Sequence, residues 1–206
     1  MAQSRITPHS MIAIPLVIAL CLWGGACVST KSVHYYALQG AAAPANQARP
    51  DGPTLLVGTI VAPEELQDSR IRYRAGSNQA GAYEYHRWTE RPGSMVRTAL
   101  IHALRESGKY QHVLEAESSA GGDYLLRGRL EEFEEVDRGA IQTKIALHVE
   151  LVDRKSNQHV WDRGIDRTEP VDGKSVAGVV ESFDRNLRHV AGDTADAIEA
   201  FLATRR

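Results

Sequence analysis

The sequence predicts an α+β fold: a single domain whose mixed or antiparallel sheet includes a three-strand meander and is packed by two helices. Three observations support this prediction. Short β-prone runs recur from residue 34 onward, and three of them follow one another between residues 124 and 167. Apolar residues also occur at helical spacing in two segments, the longer of which is the last element of the chain.

The first 26 residues have the layout of a bacterial export signal. A short start with Arg5 as its formal charge precedes the apolar residues 11–22, a run shorter than the roughly 20 residues that span a bilayer. Small residues at positions 24–26 then lead to Cys27. This arrangement is typical of a lipobox, whose cysteine receives acyl chains such as palmitate, and we predict lipid attachment at Cys27.

Two other interpretations of the leader remain open. Gly24 stands where a lipobox usually carries leucine, so an ordinary signal peptidase could cut after Ala26, and the segment could also be retained as an anchor. With lipidation, three acyl chains would hold the protein stably at a membrane. The predicted boundaries are 1–26 for the signal peptide, 27–53 for the lipidated tether with a first short strand, and 54–206 for the α+β domain.

The composition narrows the class of protein. Beyond residue 26 the chain carries 23 basic and 26 acidic residues, so there is no basic excess and we predict no nucleic-acid partner. Cys27 is the one cysteine left, which rules out an internal disulfide. The remaining 180 residues suffice for one domain with an apolar core.

Before the first helix the sequence predicts two strands and a hairpin. Aromatic residues at 34–38 indicate an edge strand or a packed tether, residues 39–53 a linker, and the apolar residues 54–61 a buried central strand. Residues 70–74 and 82–88 alternate around a turn, which predicts a hairpin. Arginines at 70, 72 and 74 would suit anionic groups, but we favour a solvated edge strand that resists aggregation.

The first helix is predicted to start with Ser94 as N-cap or with Pro92 in its first turn, and to end near Gly108. A short strand at 110–114 precedes the meander. In the first strand of the meander the apolar phase slips before Phe133, which predicts a β-bulge near Glu131 and Glu132.

The last element is predicted to be an amphipathic helix starting near Ser175 and packing on the sheet. Its apolar positions are three and four residues apart and form one stripe: Val176, Val179, Val180, Phe183, Leu187, Val190, Thr194, Ala197, Ile198, Phe201 and Leu202. Its polar face is rich in acids, whereas a membrane-surface helix has a basic one.

No motif for catalysis was found. The eight histidines lack metal-ligand spacing, and neither a nucleophile elbow nor a phosphate loop occurs, so we predict no enzyme, no metal site and no cofactor. Four glutamates at 131, 132, 134 and 135 alternate between strand faces, and we interpret them as a solvated strand end and not as catalytic carboxylates. Trp88 and Trp161 are interpreted as core residues.

The order of motifs after Cys27 resembles the ABC-type transport auxiliary lipoprotein family. Tyr35-Tyr36 and Arg87-Trp88 carry most of the resemblance. The other matching segments are Leu55 to Pro63, Ile71-x-Tyr73-Arg74, Asp123-Tyr124-x-Leu126, Phe133-Glu134, Leu151-Val152-Asp153 and the terminal helix.

The resemblance implies a non-catalytic periplasmic partner of a transporter. Such systems join an ABC permease and ATPase to an MCE-domain protein that bridges the envelope and moves lipids. The implied partners are therefore that MCE protein, its permease and ATPase, and the membrane through the lipid anchor, with a phospholipid and a homo-oligomer as further candidates. Val28, which follows Cys27 in place of aspartate, favours the periplasmic face of the outer membrane. The alternative is a generic envelope lipoprotein with a structural or assembly role.

Overall fold

The computed structural model describes residues 31–38, 48–118 and 121–205. The chain divides into two compact units, Met1–Ser32 and Val33–Arg206, and the fold is that of the second. The predicted signal peptide, Cys27 and most of the predicted linker lie outside the described residues.

The described part of the second unit is an α+β domain, as predicted. In chain order its elements are β1 (His34–Tyr36), β2 (Thr54–Val61), a 3-10 turn (Glu64–Leu66), β3 (Arg70–Ala75), β4 (Gln79–Trp88), α1 (Pro92–Glu106), β5 (His112–Glu115), β6 (Tyr124–Asp137), β7 (Ile141–Asp153), β8 (Gln158–Pro170) and α2 (Val176–Ala203).

One mixed sheet contains the eight described strands. Its hydrogen-bonded order is β1-β4-β3-β6-β2-β5, and β7 and β8 extend it from β6. The long strand β6 pairs in parallel with β2 near its start and with β3 near its end, while β7 pairs antiparallel along its other side. The predicted meander β6-β7-β8 and the predicted hairpin β3-β4 are both confirmed.

The predicted phase change in β6 is confirmed as a register shift between Leu130 and Glu132 in the pairing with β7. Leu126 and Leu130 lie in the core before the shift, and Phe133 lies in the core after it. Because a bulge adds one residue to one strand, it returns the apolar residues to the core face.

Local signals set the ends of the helices. α1 begins at Pro92, so the start with proline in the first turn is right and the Ser94 N-cap is wrong. Proline suits this position because its missing N–H would have no helical partner there. Gly108, at φ +65°, follows the end of α1 as predicted. In α2 the Ser175 side chain caps the helix by accepting a hydrogen bond from the Gly178 backbone N–H.

The core lies between the sheet and the two helices. α1 packs on β2 and β5, α2 packs on β7 and β8, and the helices contact each other. The predicted apolar stripe of α2 packs against the core, with Phe183, Val190 and Ile198 fully inaccessible and the residues at its two ends partly buried. Within the described residues no helix is long and apolar enough to cross a membrane.

A polar cluster lies beneath α2, where the apolar pattern gave no indication of it. Thr143, Ser182 and Asn186 are fully buried. The hydroxyls of Thr143 and Ser182 are 2.9 Å apart, and the Asn186 side-chain amide donates to the carbonyls of Thr143 and Arg167 at 3.0 and 3.2 Å. These bonds tie one face of α2 to both β7 and β8.

Candidate functional site

The two motifs that carry most of the family resemblance meet at one edge of the sheet. β1 pairs in parallel with β4, so Tyr35 lies opposite Arg87 and Tyr36 lies opposite Trp88. β1 is therefore an edge strand, which is one of its two predicted roles. Cys27, the site residue predicted from the sequence, lies outside the described residues and stays a prediction.

On the helix-packed face this edge carries a continuous aromatic row, which we define as His34, Tyr36, Tyr73, Tyr83 and His86. The imidazoles of His34 and His86 stack with ring centroids 5.4 Å apart, and the Tyr36 hydroxyl is 2.9 Å from Nδ1 of His86. Tyr83 meets both His86 and Tyr73 edge to face, at 5.7 and 5.4 Å. Burial, together with the neighbouring His34, lowers the pKa of His86.

A buried carboxyl ends the aromatic row. The Tyr83 hydroxyl donates to Oε2 of Glu135 at 2.7 Å, and Glu135 is only 7% exposed. Burial raises the pKa of the Glu135 carboxyl, and burial together with Glu135 raises the pKa of the Tyr83 hydroxyl. The interpretation of this segment as a solvated strand end is therefore wrong for Glu135.

On the opposite face of the sheet, Glu134 is also buried, at 8% exposure. Arg74 holds it with two hydrogen bonds, from Nε at 2.6 Å and from a terminal nitrogen at 3.2 Å, and this pairing raises the pKa of Arg74. Glu132 pairs with Lys144 at 2.7 Å. Three of the four glutamates thus take structural ion pairs or hydrogen bonds, and Glu131 is exposed as predicted.

The interpretation of the arginine-rich strand as a sheet edge is also wrong, because β3 lies between β4 and β6. Its arginines contribute to a surface at the β1 edge, which we call the outer basic surface and define as Val33, Tyr35, Arg70, Arg72 and Arg87. Tyr35 is 64% exposed and Val33 39% exposed. Register places Arg87 opposite Tyr35 and Arg70 opposite Arg87. Asp68 pairs with Arg70 and lies 4.0 Å from Arg87.

A cavity of about 720 Å³ lies near the start of β6, far from this edge. Since Tyr124 and Glu135 are eleven residues apart along β6, the cavity and the aromatic row are separated by roughly 35 Å of strand. Its charged lining residues are Arg49, Asp51, Lys109, Asp123, Asp196, Glu199 and Arg205.

Tyr110 forms a buried part of the cavity wall. It is 3% exposed, and its hydroxyl has no hydrogen-bond partner among the residues that the structure describes. Burial, reinforced by the nearby Glu199 carboxylate, raises the pKa of this hydroxyl. The tryptophans are structural: Trp88 is 1% exposed in the core, and Trp161 packs at its margin against Phe201, with centroids 6.1 Å apart.

Comparison with known proteins identifies the family. The family model described as ABC-type transport auxiliary lipoprotein component matches residues 36–195. The chain belongs to this family. The match begins at Tyr36, includes Arg87-Trp88 and covers most of α2, and it confirms the resemblance predicted from the sequence.

Solved structures share the auxiliary-lipoprotein fold. One is the crystal structure of a Xanthomonas campestris protein of family DUF330, which superposes with a TM-score of 0.73. Its sequence is 20% identical to this chain, and the match covers 84% of this chain and 100% of that one. An uncharacterized protein is 16% identical, with a TM-score of 0.63, over 82% of this chain and 99% of that one. No curated protein matches the chain significantly.

Two surfaces at the β1 edge carry groups that can bind another molecule. The aromatic row and the outer basic surface present stacked rings, hydroxyls and guanidinium groups on a β-sheet edge. The charged groups near them are mainly engaged in pairs that stabilise the sheet. Within the described ranges, no group of three or more histidines, cysteines or acids is placed to hold a metal ion.

Proposed function

We propose that the protein is an outer-membrane-anchored periplasmic lipoprotein that serves as a non-catalytic auxiliary component of an ABC/MCE-type intermembrane lipid transport system. The observation that carries the proposal is the match to the auxiliary lipoprotein family over residues 36–195. An auxiliary component of this kind binds and positions other subunits and leaves ATP hydrolysis to the ATPase.

The anchor in this proposal is Cys27, lipidated after removal of residues 1–26. The small residues before it support the lipid attachment, and Val28 after it supports the outer membrane over the inner one. The lipid would hold the α+β domain at the periplasmic face, where an MCE-domain protein crossing the envelope reaches it.

Reciprocal purification tests the proposed partners. The full-length lipoprotein, with an affinity tag at its C-terminus, is cross-linked in intact cells and purified from the solubilised envelope. We expect an MCE-domain protein together with an ABC permease and ATPase, and we expect a tagged MCE protein to recover the lipoprotein. If neither direction enriches the other over an unrelated outer-membrane lipoprotein, the transport role is wrong and the generic structural or assembly role is favoured.

The cavity at the start of β6 favours direct contact with a phospholipid as a part of this function. Its volume is within the range of ligand sites, its bases suit a phosphate, and its acids suit an amine. Native mass spectrometry of the full lipoprotein measures any bound phospholipid, and Ala200→Trp, which fills the cavity, should remove it. Ala177→Trp on the exposed side of α2 is the matched control. Absence of bound phospholipid in the wild type would contradict this part of the proposal.

A further inference from the structure

The outer basic surface has features that the fold does not require. Val33 and Tyr35 are two of the three large apolar residues that stay exposed in the described part of the chain. Tyr35 is the middle residue of β1, and Val33 directly precedes that strand, two positions before Tyr35. An exposed pair of this kind at a sheet edge favours an external contact over a role in the core.

The charges beside this pair are complementary to an anionic surface. Arg87 lies opposite Tyr35, Arg70 lies opposite Arg87, and Arg72 follows on the same strand face. Asp68 is the acid that pairs with Arg70 and Arg87. Among the described residues the guanidinium of Arg72 makes no hydrogen bond or ion pair, although its backbone belongs to the β3–β4 ladder. The surface therefore carries a net positive charge next to an exposed tyrosine and valine.

The length of the preceding chain limits how far this surface can be from the proposed anchor. Six residues, 28–33, separate Cys27 from His34. At most about 3.6 Å is covered per extended residue, so β1 begins within about 25 Å of the lipidated cysteine. With Cys27 lipidated, this covalent limit keeps the surface near phospholipid head groups, which favours the membrane over a protein partner as the occupant.

We propose that the outer basic surface docks on the anionic phospholipid surface in which the protein is anchored, so that the β1 edge faces the membrane. This inference rests on the proposed lipidation at Cys27. Tyrosine favours the boundary between head groups and acyl chains, and arginines near an anionic leaflet each strengthen binding by about 1 kcal/mol, or roughly fivefold. Docking would fix the orientation of the domain, with the cavity and β5 directed away from the β1 edge.

Site-specific fluorescence on the intact lipoprotein tests the orientation. Cys27 is consumed by the lipid, so a single introduced cysteine can be labelled: Val33→Cys on the proposed docking surface, or Arg163→Cys as control. Arg163 is exposed on β8, at the opposite edge of the sheet from β1. The path β1-β4-β3-β6-β7-β8 contains five strand spacings, which places β8 about 24 Å from β1. Both proteins are reconstituted in vesicles containing phosphatidylglycerol and nitroxide-labelled lipid, after intact mass has verified acylation.

We expect strong quenching of the label at position 33 and little at position 163. Adding Tyr35→Ser or Arg72→Gln should reduce the quenching at position 33 severalfold, and vesicles of phosphatidylcholine alone should abolish the effect of Arg72→Gln. Equal quenching at both positions in acylated protein would overturn the docking proposal while leaving the anchor intact. Protection of position 33 only after an MCE-domain protein is added would overturn it as well, because the surface would then bind protein. A protein without acyl mass would instead refute the proposed anchor.

Discussion

Phe183 of α2 stacks on Phe133 of β6, with ring centroids 4.6 Å apart and planes 14° from parallel. The indole of Trp88 meets both rings edge to face, at 5.3 and 5.8 Å. All three side chains are at most 1% exposed. This cluster connects α2 to β4 and β6, two strands that lie about 95 and 50 residues earlier in the chain.

Replacement of Phe183 by alanine should cost about 3–5 kcal/mol of the free energy of unfolding, as truncation of core aromatic residues does. The loss combines the buried area of the ring with a void between Phe133 and Trp88. Urea denaturation of the purified protein measures it. Glu181→Gln, at an exposed position of the same helix, should change the free energy by less than about 0.5 kcal/mol. An unchanged midpoint for Phe183→Ala would show that the stripe is an interaction face and not a packing face.

The buried amide of Asn186 gives a second stability test. Asn186→Leu roughly keeps the volume of the side chain but removes the amide N–H groups. The carbonyl oxygens of Thr143 and Arg167 then lose the hydrogen bonds that they accept from Asn186. We expect a loss of about 1–3 kcal/mol, the usual cost of leaving buried polar groups unsatisfied. Gln158→Leu makes a comparable amide-to-leucine change at an exposed position and should be nearly neutral. If both variants are equally stable, the polar cluster contributes nothing to the attachment of α2.

The carboxyl of Glu135 should make stability depend on pH. Burial raises its folded-state pKa, so the stability that it contributes is fully present below the unfolded pKa of about 4.3 and is lost as the pH rises through the folded value. Glu135→Gln stays neutral, and its free energy of unfolding relative to wild type should therefore increase between about pH 4 and about pH 7. Urea titrations at both pH values measure this difference.

The exposed Glu181→Gln is the control for that titration, because its difference from wild type should stay flat across the same interval. A Glu135→Gln difference that stays flat, or that decreases toward neutral pH, would contradict the raised pKa. A flat difference would mean that the hydrogen bond from Tyr83 offsets the cost of burying the charge, and a decrease would mean that it outweighs that cost.

Local signals allowed much of this fold to be predicted. The three-and-four spacing of α2 indicated its buried face, and the phase slip before Phe133 located the register shift at Leu130 and Glu132. Both patterns are local, because the spacing of apolar residues within one helix or strand indicates which of its faces is buried. The same holds for Gly108 after α1 and for the Ser175 cap.

Features that depend on distant residues could not be predicted in this way. The arginines of β3 suggested an edge strand because one strand does not reveal its neighbours, and in the fold β4 and β6 flank it. Glu134 and Glu135 suggested solvated charges because their partners, Arg74 and Tyr83, are more than fifty residues earlier. The meeting of Tyr35 with Arg87 likewise follows from a parallel pairing that no local pattern indicates.

The domain should fold without its leader, lipid, metal or a disulfide. A polypeptide that begins at Lys31 contains every described strand and helix, and its core is supplied by the sheet and two helices. We expect one cooperative transition in urea, followed in parallel by tryptophan fluorescence and circular dichroism. Aggregation, or a transition that occurs only when a partner is added, would contradict the predicted single domain.

The proposed location and the proposed partners of the protein both depend on the lipid anchor at Cys27. The measurement is intact mass combined with density-gradient fractionation of the envelope, for wild type and for Cys27→Ser. We expect a wild-type protein that begins at residue 27, carries the mass of three acyl chains and sediments with the outer membrane. The Cys27→Ser protein should lack that mass and leave the membrane fraction. A wild-type mature protein without acyl mass, recovered in the soluble periplasm, would contradict the lipid anchor.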